Sequence, residues 1–399
     1  QPLPDFWPPE LHLLCRQLRA ALGTATDGDL ARHAPPVDWE VWLQWVRRHR
    51  VGGYLQHRLP RAARSALPAP VAAQLRTLGL ANAQRALARA GELLRVTELL
   101  AQQGIRSLAF KGPVLAVQLY GEAGVRHAGD LDLLLHPADV SRADALLRQF
   151  GYQSAHPDFE LTPFQWRQFL ELHHEVSLWH PGRRITVELQ WRLEGFGDDS
   201  FEALWQARTP VHLAGQTLMT LPKAMGPLHL FAHGARHGWL TLGWLLDGAL
   251  LLRDDQVSKA EWWPAAQRLH LTRPLLQGVA LAARLLHVAL PPELGVGLAR
   301  ARPLSGLLDD ALRRMGEEPL SEPGVGATLR DTAYQFRLQE SWRGRLDLVR
   351  PRMLSVENWK QFPLPERWFW LYYPAAPLLW AWRRLLPSVA NDLKPPAGA

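Results

Sequence analysis

The sequence has a single cysteine, Cys15, among 399 residues, and it lacks any run of about 18 uncharged apolar residues that would suit a membrane span. One cysteine cannot form an internal disulfide, so the chain fits a reducing compartment. No basic segment followed by an apolar stretch marks a secretory signal. We therefore expect a cytoplasmic protein without a membrane span.

Motifs of several common enzyme classes are also missing. The glycine patterns of Walker and Rossmann nucleotide sites do not occur. The sequence also shows no recognisable Ser-His-Asp catalytic arrangement. The lone cysteine lies far from every other motif, which disfavours thiol catalysis. The chemistry must therefore be sought in charged residues and their spacing.

The composition is that of a globular chain with a positive net charge. Hydrophobic residues make up 47% and charged residues 21%, which disfavours wholesale disorder, and the length suits two or three domains. The net charge of +7 allows an anionic partner such as nucleic acid, a nucleotide or a membrane surface. Arginine supplies most of this charge but is scattered, so a compositional bias without any binding role is the stronger explanation.

Two aspartates in the stretch from Leu108 to Leu135 are the strongest chemical signal. Asp130 and Asp132 alternate with leucine after a Lys-Gly turn. Acids at this spacing on a strand point to one face, and close carboxylates repel one another unless a cation or a proton intervenes. The spacing therefore predicts a divalent metal site. Glu188, within a later predicted strand, would add a third carboxylate.

The order of predicted elements favours an α+β fold: a small mixed-sheet core with N-terminal and C-terminal helical regions. We divide the chain into residues 1–104, 105–220 and 221–399. The core elements are predicted as strand Ser107–Phe110, a helix from Pro113 to about Tyr120, strand Leu131–Leu135, helix Val140–Phe150, and strands Glu175–Trp179 and Ile185–Leu189.

The flanking regions read as helices with loops between them. An amphipathic pattern occupies Ala81–Gln103, and Leu67–Val71 is expected to break the helices. Part of His156–Leu172 reads as a helix over the site, and Val211–Met219 as a hairpin. Further helices are predicted at Lys223–Trp239, Leu240–Arg253 and Leu275–Leu290, with loops near Pro291, Pro303 and Pro319–Pro323. For the aromatic tail from Trp359 to Leu386 we favour core and partner contacts over a membrane anchor.

The Lys-Gly turn also suggests a phosphate site. Lys111 and Gly112 open a helix whose first N–H groups can receive a triphosphate, and the lysine adds a positive charge. Arg126 is a candidate fork for a phosphate or an acceptor. Tyr120 suits either stacking on a base or packing at the helix end. Ordinary surface positions remain the alternative for Lys111 and Arg126.

These motifs resemble a known family. The Lys-Gly turn, Tyr120, Arg126, GDLDLLL from Gly129, Gly151-Tyr152 and VELQW from Val187 resemble a bacterial family of uncharacterised nucleotidyltransferases within the polymerase-beta-like superfamily. The resemblance covers about Leu93 to Trp191 and weakens through the helices that follow. Two departures stand out. The turn is Lys111-Gly112-Pro113 where the superfamily usually has Gly-Ser or Gly-Gly, and Gln190 stands where relatives often carry histidine.

The resemblance implies a two-metal phosphoryl transfer. Asp130, Asp132 and Glu188 would hold Mg²⁺ or Mn²⁺, and a nucleoside monophosphate would move from an NTP, such as ATP, to a hydroxyl or phosphate acceptor. The acceptor stays open between a small molecule, a peptide and RNA, with peptide or polysaccharide biosynthesis as one setting. The alternatives are a non-catalytic nucleotide-binding or scaffold protein and a toxin-type enzyme that modifies tRNA.

Three histidines give a further candidate group. His229, His233 and His237 recur at helical spacing and share one face, which admits a zinc site or hydrogen-bonded core histidines. Relatives carry a similar histidine pattern followed by Trp-Leu-Asp. The resemblance therefore implies a third interpretation, in which His233, His237 and Asp247 line the nucleotide-facing wall of the cleft.

Overall fold

The computed structural model describes residues 2–25, 36–127, 129–193, 200–300, 304–317 and 325–385. It confirms the α+β fold, with a small mixed sheet and helices at both ends. The N-terminal helices are α1 Pro9–Leu22, α2 Trp39–Arg48, α3 Gly52–Arg58, α4 Arg61–Ser65 and α5 Ala69–Gln102.

Helix α5 begins earlier than its amphipathic pattern indicates. The expected break is only a short gap before Ala69, because Pro70 lies in the first turn of α5, where a missing N–H costs no intrahelical hydrogen bond. Leu93 and Leu100 of α5 are buried, whereas Leu87 is 67% exposed. The leucine pattern therefore identifies the helix but not all of its buried positions.

The sheet and its helices follow α5 in the order β1 Ser107–Ala109, α6 Gly112–Tyr120, β2 Leu131–Leu135, α7 Val140–Gln149, β3 Gln153–His156, α8 Pro163–Leu172, β4 Glu175–His180 and β5 Ile185–Gln190, with a 3-10 turn at Pro137–Asp139. The strand order is β1-β2-β5-β4-β3. Strands β2 and β5 run parallel, and every other neighbouring pair in this sheet is antiparallel.

Strand β3 is missing from the sequence prediction. It lies at the edge of the described sheet, where β4 is its partner strand, and its side chains are half or fully exposed. It therefore shows none of the apolar alternation that reveals a half-buried strand. Helix α8 follows with a capping box between Thr162 and Gln165, which explains why the helical part of this segment starts at Pro163.

The second half of the chain is mostly helical. After α9 Ser200–Gln206, strands β6 Thr209–Leu213 and β7 Gln216–Thr220 form the predicted hairpin. Then come α10 Met225–Arg236, α11 Leu242–Arg253, α12 Trp262–Arg268, α13 Thr272–Leu286, α14 Pro292–Arg300, α15 Ser305–Gly316, α16 Val325–Leu338, α17 Trp342–Met353, α18 Val356–Gln361, the 3-10 segment Glu366–Leu371 and α19 Tyr372–Leu385.

Several predicted boundaries in this half differ from the structure. Helix α10 ends at Arg236 rather than Trp239, because Gly238 and Trp239 both adopt positive φ angles, which stop a right-handed helix. Near Pro291, the predicted loop gives way to α14 at Pro292. The predicted loops at Pro303 and Pro319–Pro323 lie outside the described residues.

Two large apolar clusters connect parts of the chain that are distant in sequence. One joins α1 to α3 and the start of α5 with α10 to α16. The other covers one face of the sheet with α5 and α7, and it includes Trp359, Phe369 and Tyr372 of the aromatic tail. The clusters cross the predicted boundaries at 104 and 220, so that division stays a prediction. Among the described residues, no helix is long and apolar enough to cross a membrane.

Candidate active site

Parallel pairing of β2 with β5 brings two of the three predicted acids together. Asp132 lies directly beside Glu188 in the register of the two strands. Their neighbours Leu131, Leu133 and Val187 point into the core on the other face, where they are fully buried. The period of two along each strand therefore places both carboxylates on the opposite face of the sheet.

The third acid and the Lys-Gly turn lie at the start of β2. Asp130 is half-buried and immediately precedes the strand. Gly112 has a φ of 53°, and a Cβ at this position would lie 3.2 Å from the backbone oxygen of Asp130. Glycine suits this position for both reasons, because it tolerates the left-handed region and leaves room for the carbonyl. The turn is therefore packed directly against the acids.

Hydrogen bonds connect the two carboxylates to Lys111 and Gln190. Lys111 Nζ donates to Asp132 Oδ1 at 2.9 Å. Gln190 Nε2 donates to the same oxygen at 2.9 Å and to Glu188 Oε2 at 3.4 Å. The other oxygen, Asp132 Oδ2, is buried and has no hydrogen-bond partner among the described residues. Asp132 therefore has one oxygen held twice and one oxygen unpaired.

The electrostatics show an excess of negative charge. Burial, followed by the carboxylates of Asp132, Asp130 and Glu175, raises the pKa of Glu188 to about 9. Burial also raises the pKa values of Asp132 and Glu175. Burial lowers the pKa of Lys111, but Asp132, Asp130 and Glu188 together outweigh burial and raise it, so Lys111 stays charged. One lysine cannot neutralise four acids. The site favours a bound proton or cation.

This arrangement suits a hard divalent cation in its chemistry. Mg²⁺ and Mn²⁺ prefer oxygen ligands such as the buried carboxylate oxygen of Asp132, which is unpaired among the described residues. A cation would also relieve the repulsion between the neighbouring acids. Among the described side chains as they stand, no three histidine, cysteine or acidic residues converge closely enough to hold a metal ion. Lys111 holds one oxygen of Asp132, so a metal would need Asp130 and Glu188, both half-buried, to turn toward the remaining oxygen.

His229 and His233 of α10 and His237, which caps its C-terminal end, lie near enough to Lys111 to be affected by its charge. His229 is buried against the ring of Phe110 at 5.0 Å, and neither of its ring nitrogens has a partner among the described residues. Burial, followed by the charge of Lys111, lowers the pKa values of His229 and His233 well below the ordinary value. These residues are therefore neutral at pH 7. The absence of a described group of three metal-binding side chains gives the zinc alternative no support.

Arg126 and Asp247 bind each other. The guanidinium donates from Nε and Nη2 to both oxygens of Asp247 at 2.9–3.0 Å, and Tyr120 donates its hydroxyl to Asp247 Oδ1 at 2.6 Å. Asp247 is only 2% exposed, and Tyr120 packs edge-on against Tyr54. Tyr120 therefore packs at the end of its helix, which is one of the two roles that the sequence suggests for it. The phosphate role of Arg126 stays a prediction, because most of its fork is occupied by the carboxylate.

Sequence reasoning overlooked two members of the site. The sequence pattern indicates only that Gln190 stands in place of a histidine, whereas in the structure its side chain donates hydrogen bonds to both Asp132 and Glu188. Glu175 lies opposite Gln190 in the β4–β5 pairing, and its charge acts on Glu188. The sequence feature that could have identified Glu175 is its alternation with the buried Val176. This alternation puts Glu175 on the polar face of β4, and that face is shared with Glu188 of the neighbouring strand β5.

Comparison with known proteins assigns the family. A search of curated proteins finds no match. Residues 35–287 match the family described as uncharacterised nucleotidyltransferase, which covers more than half of the chain and includes every residue of the acidic site. The chain therefore belongs to this nucleotidyltransferase family.

Proposed function

We propose that this protein transfers a nucleoside monophosphate from an NTP to a hydroxyl or phosphate acceptor, with release of pyrophosphate, and that Asp130, Asp132 and Glu188 hold the Mg²⁺ or Mn²⁺ it needs. One observation carries the proposal. Asp132 and Glu188 are neighbours on parallel strands, and Asp132 keeps a buried oxygen without a partner among the described residues. Family membership supports the reaction class.

The bound metal would neutralise the phosphates and polarise the reacting oxygens. The protein contributes the placement of the acids. Asp132 is fixed by Lys111 and Gln190, so its remaining oxygen keeps a constant position. Burial and the neighbouring acids raise the pKa of Glu188 to about 9, so Glu188 keeps a proton at pH 7 until a cation takes its place, and only the ionised carboxylate would accept the acceptor's proton.

The start of α6 would receive the triphosphate. Lys111 is the N-cap of this helix and Gly112 its first residue, and Gly112 packs against the backbone of Asp130, so the start of the helix lies beside the acids. Lys111 Nζ, held by Asp132 Oδ1, would add positive charge beside the phosphates. His233 and His237 would form the wall beside the nucleotide, and Asp247 would act through Arg126, which it orients.

The alternatives make different demands on the same site. A non-catalytic binding or scaffold protein has no need for Asp132 and Glu188 side by side on one sheet face with Asp130 next to them. A toxin-type enzyme would use the same chemistry on tRNA and would arrest growth when expressed. Neither alternative has a specific contact in its favour.

The test is incubation of the protein and Mg²⁺ with each labelled NTP and cell extract, followed by identification of what becomes labelled. Asp132→Asn should reduce pyrophosphate release at least about 100-fold, because metal ligation needs the charge and the amide still fits. Asp139→Asn is the matched control, since Asp139 lies after β2 and pairs with Arg142 outside the site. Unchanged turnover in Asp132→Asn would refute the metal role.

A further inference from the structure

A second charged pocket lies at the start of α11. We call it the α11 pocket, and its lining includes Arg50, Arg126, His127, Thr241, Gly243 and Trp244. Tyr120, at the C-terminal end of α6, also lines it. Helix α6 has nine residues and so is about 13 Å long. The pocket therefore belongs to the opposite end of α6 from the Lys-Gly turn.

The first turn of α11 leaves hydrogen-bonding capacity in this pocket. The first four N–H groups of a helix have no partner within it. His49 accepts from two of them, those of Leu242 and Gly243. Thr241 is the N-cap, but its hydroxyl does not cap the helix. That hydroxyl is buried and has no hydrogen-bond partner among the described residues. The whole residue is only 7% exposed.

Positive charge surrounds the same pocket. Arg50 is exposed at the pocket and forms no ion pair with any described residue. Burial lowers the pKa of His127 to about 4, together with the positive charges of four arginines, namely Arg50, Arg85, Arg89 and Arg126. The carboxylate of Asp247 is already taken by Arg126 and Tyr120. The pocket thus combines a helix N-terminus, an unpaired hydroxyl and uncompensated arginine, which are the features of a phosphate site.

The α11 pocket is connected to the acidic site. Trp244 of the pocket contacts the rings of His233 and His237 at 5.2 Å and 5.3 Å, so the histidine wall continues into it. Arg89 is close enough to Asp130, and Arg126 to Asp132, for their charges to interact. The α11 pocket therefore adjoins the acidic site.

We propose that the α11 pocket binds a phosphate group of the acceptor, so that the acceptor is a phosphate-bearing compound anchored at a site separate from the triphosphate. The assignment to the acceptor rests on the proposed function, whereas the presence of a phosphate site does not. A phosphate in the pocket would accept hydrogen bonds from Thr241 Oγ1 and the first turn of α11 and would pair with Arg50.

The experiment is calorimetric titration of the full chain with inorganic phosphate, alone and after saturation with Mg²⁺ and α,β-methylene ATP. Arg50→Gln and Thr241→Val should each weaken phosphate binding about tenfold, because each removes one direct contact without changing the packing volume greatly. Arg47→Gln is the control, since it removes an exposed arginine of α2 that pairs with Glu40 outside the pocket. Its phosphate affinity should equal that of the wild type.

The titration with the nucleotide analogue shows whether the pocket binds a phosphate of the acceptor or a phosphate of the nucleotide. The proposal expects phosphate to bind the nucleotide-saturated protein, and it expects both variants to bind the analogue as the wild type does. Displacement of phosphate by the analogue, with the analogue weakened in both variants, would overturn the acceptor assignment and give the pocket to the nucleotide. Equal phosphate affinity in the wild type and both variants would overturn the site itself. If the ATP analogue does not bind, the α,β-methylene analogues of the other three NTPs take its place. Failure of all four to bind would count against the proposed function and would leave the phosphate result readable.

Discussion

Removing Asp247 should destabilise the fold strongly. Asp247→Ala leaves the guanidinium of Arg126 buried without its two-point partner and leaves the hydroxyl of Tyr120 without an acceptor. Two unit charges about 4 Å apart attract by about 4 kcal/mol at an effective dielectric constant of about 20. Breaking one side of a buried ion pair typically costs about 3–5 kcal/mol. We therefore expect a loss of about 4 kcal/mol in the free energy of unfolding.

The assay is urea unfolding followed by far-UV circular dichroism. Arg126→Met combined with Asp247→Leu should recover much of the loss, because no unpaired charge remains inside. Glu40→Ala is the comparison, since it breaks a pair with Arg47 whose side chains are 61% and 43% exposed. Such an exposed pair contributes less than about 1 kcal/mol. If Asp247→Ala costs no more than Glu40→Ala, the pair is not buried in solution and our account of this region is wrong.

Two further predictions concern the acidic site. The pKa of Glu188 is raised from 4.5 to about 9, so its contribution to stability is fully present below about pH 4.5 and is lost as the pH rises toward 9. The urea midpoint of the metal-free wild type should therefore fall over that range more steeply than that of Glu188→Gln, and parallel curves would contradict this. Gly112→Ala should lower stability by about 1–2 kcal/mol because of its positive φ. Gly91→Ala, in the open interior of α5, should not, and equal effects would argue against the turn geometry.

The sheet core was predictable because its strands have local signals. Strand β2 is a mostly apolar run, and β4 and β5 alternate apolar with polar residues. The structure places β1, β2, β4 and β5 within a residue of the expected limits. The acid spacing was equally local, since Asp130 and Asp132 lie two positions apart. Local periodicity reports which face of an element is buried, and here it reported correctly.

What escaped prediction depends on contacts between distant segments. Arg126 and Asp247 are 121 residues apart, and no local sequence pattern predicts that these two side chains form an ion pair. The same holds for Trp359, which packs against the sheet core although the chain between them forms another apolar cluster. Such pairings follow from tertiary packing, which a single sequence does not display.

The two departures from the family pattern meet at a single atom. Lys111 stands in a turn that usually carries a small residue, and Gln190 stands where a histidine is common. Both donate hydrogen bonds to Asp132 Oδ1. Read separately, each substitution removes a feature of the superfamily. Together they fix one oxygen of Asp132 from two sides and leave the other buried and unpaired among the described residues. The departures therefore leave one carboxylate oxygen available for the cation that we propose, and the acidic site must be judged as a set rather than residue by residue.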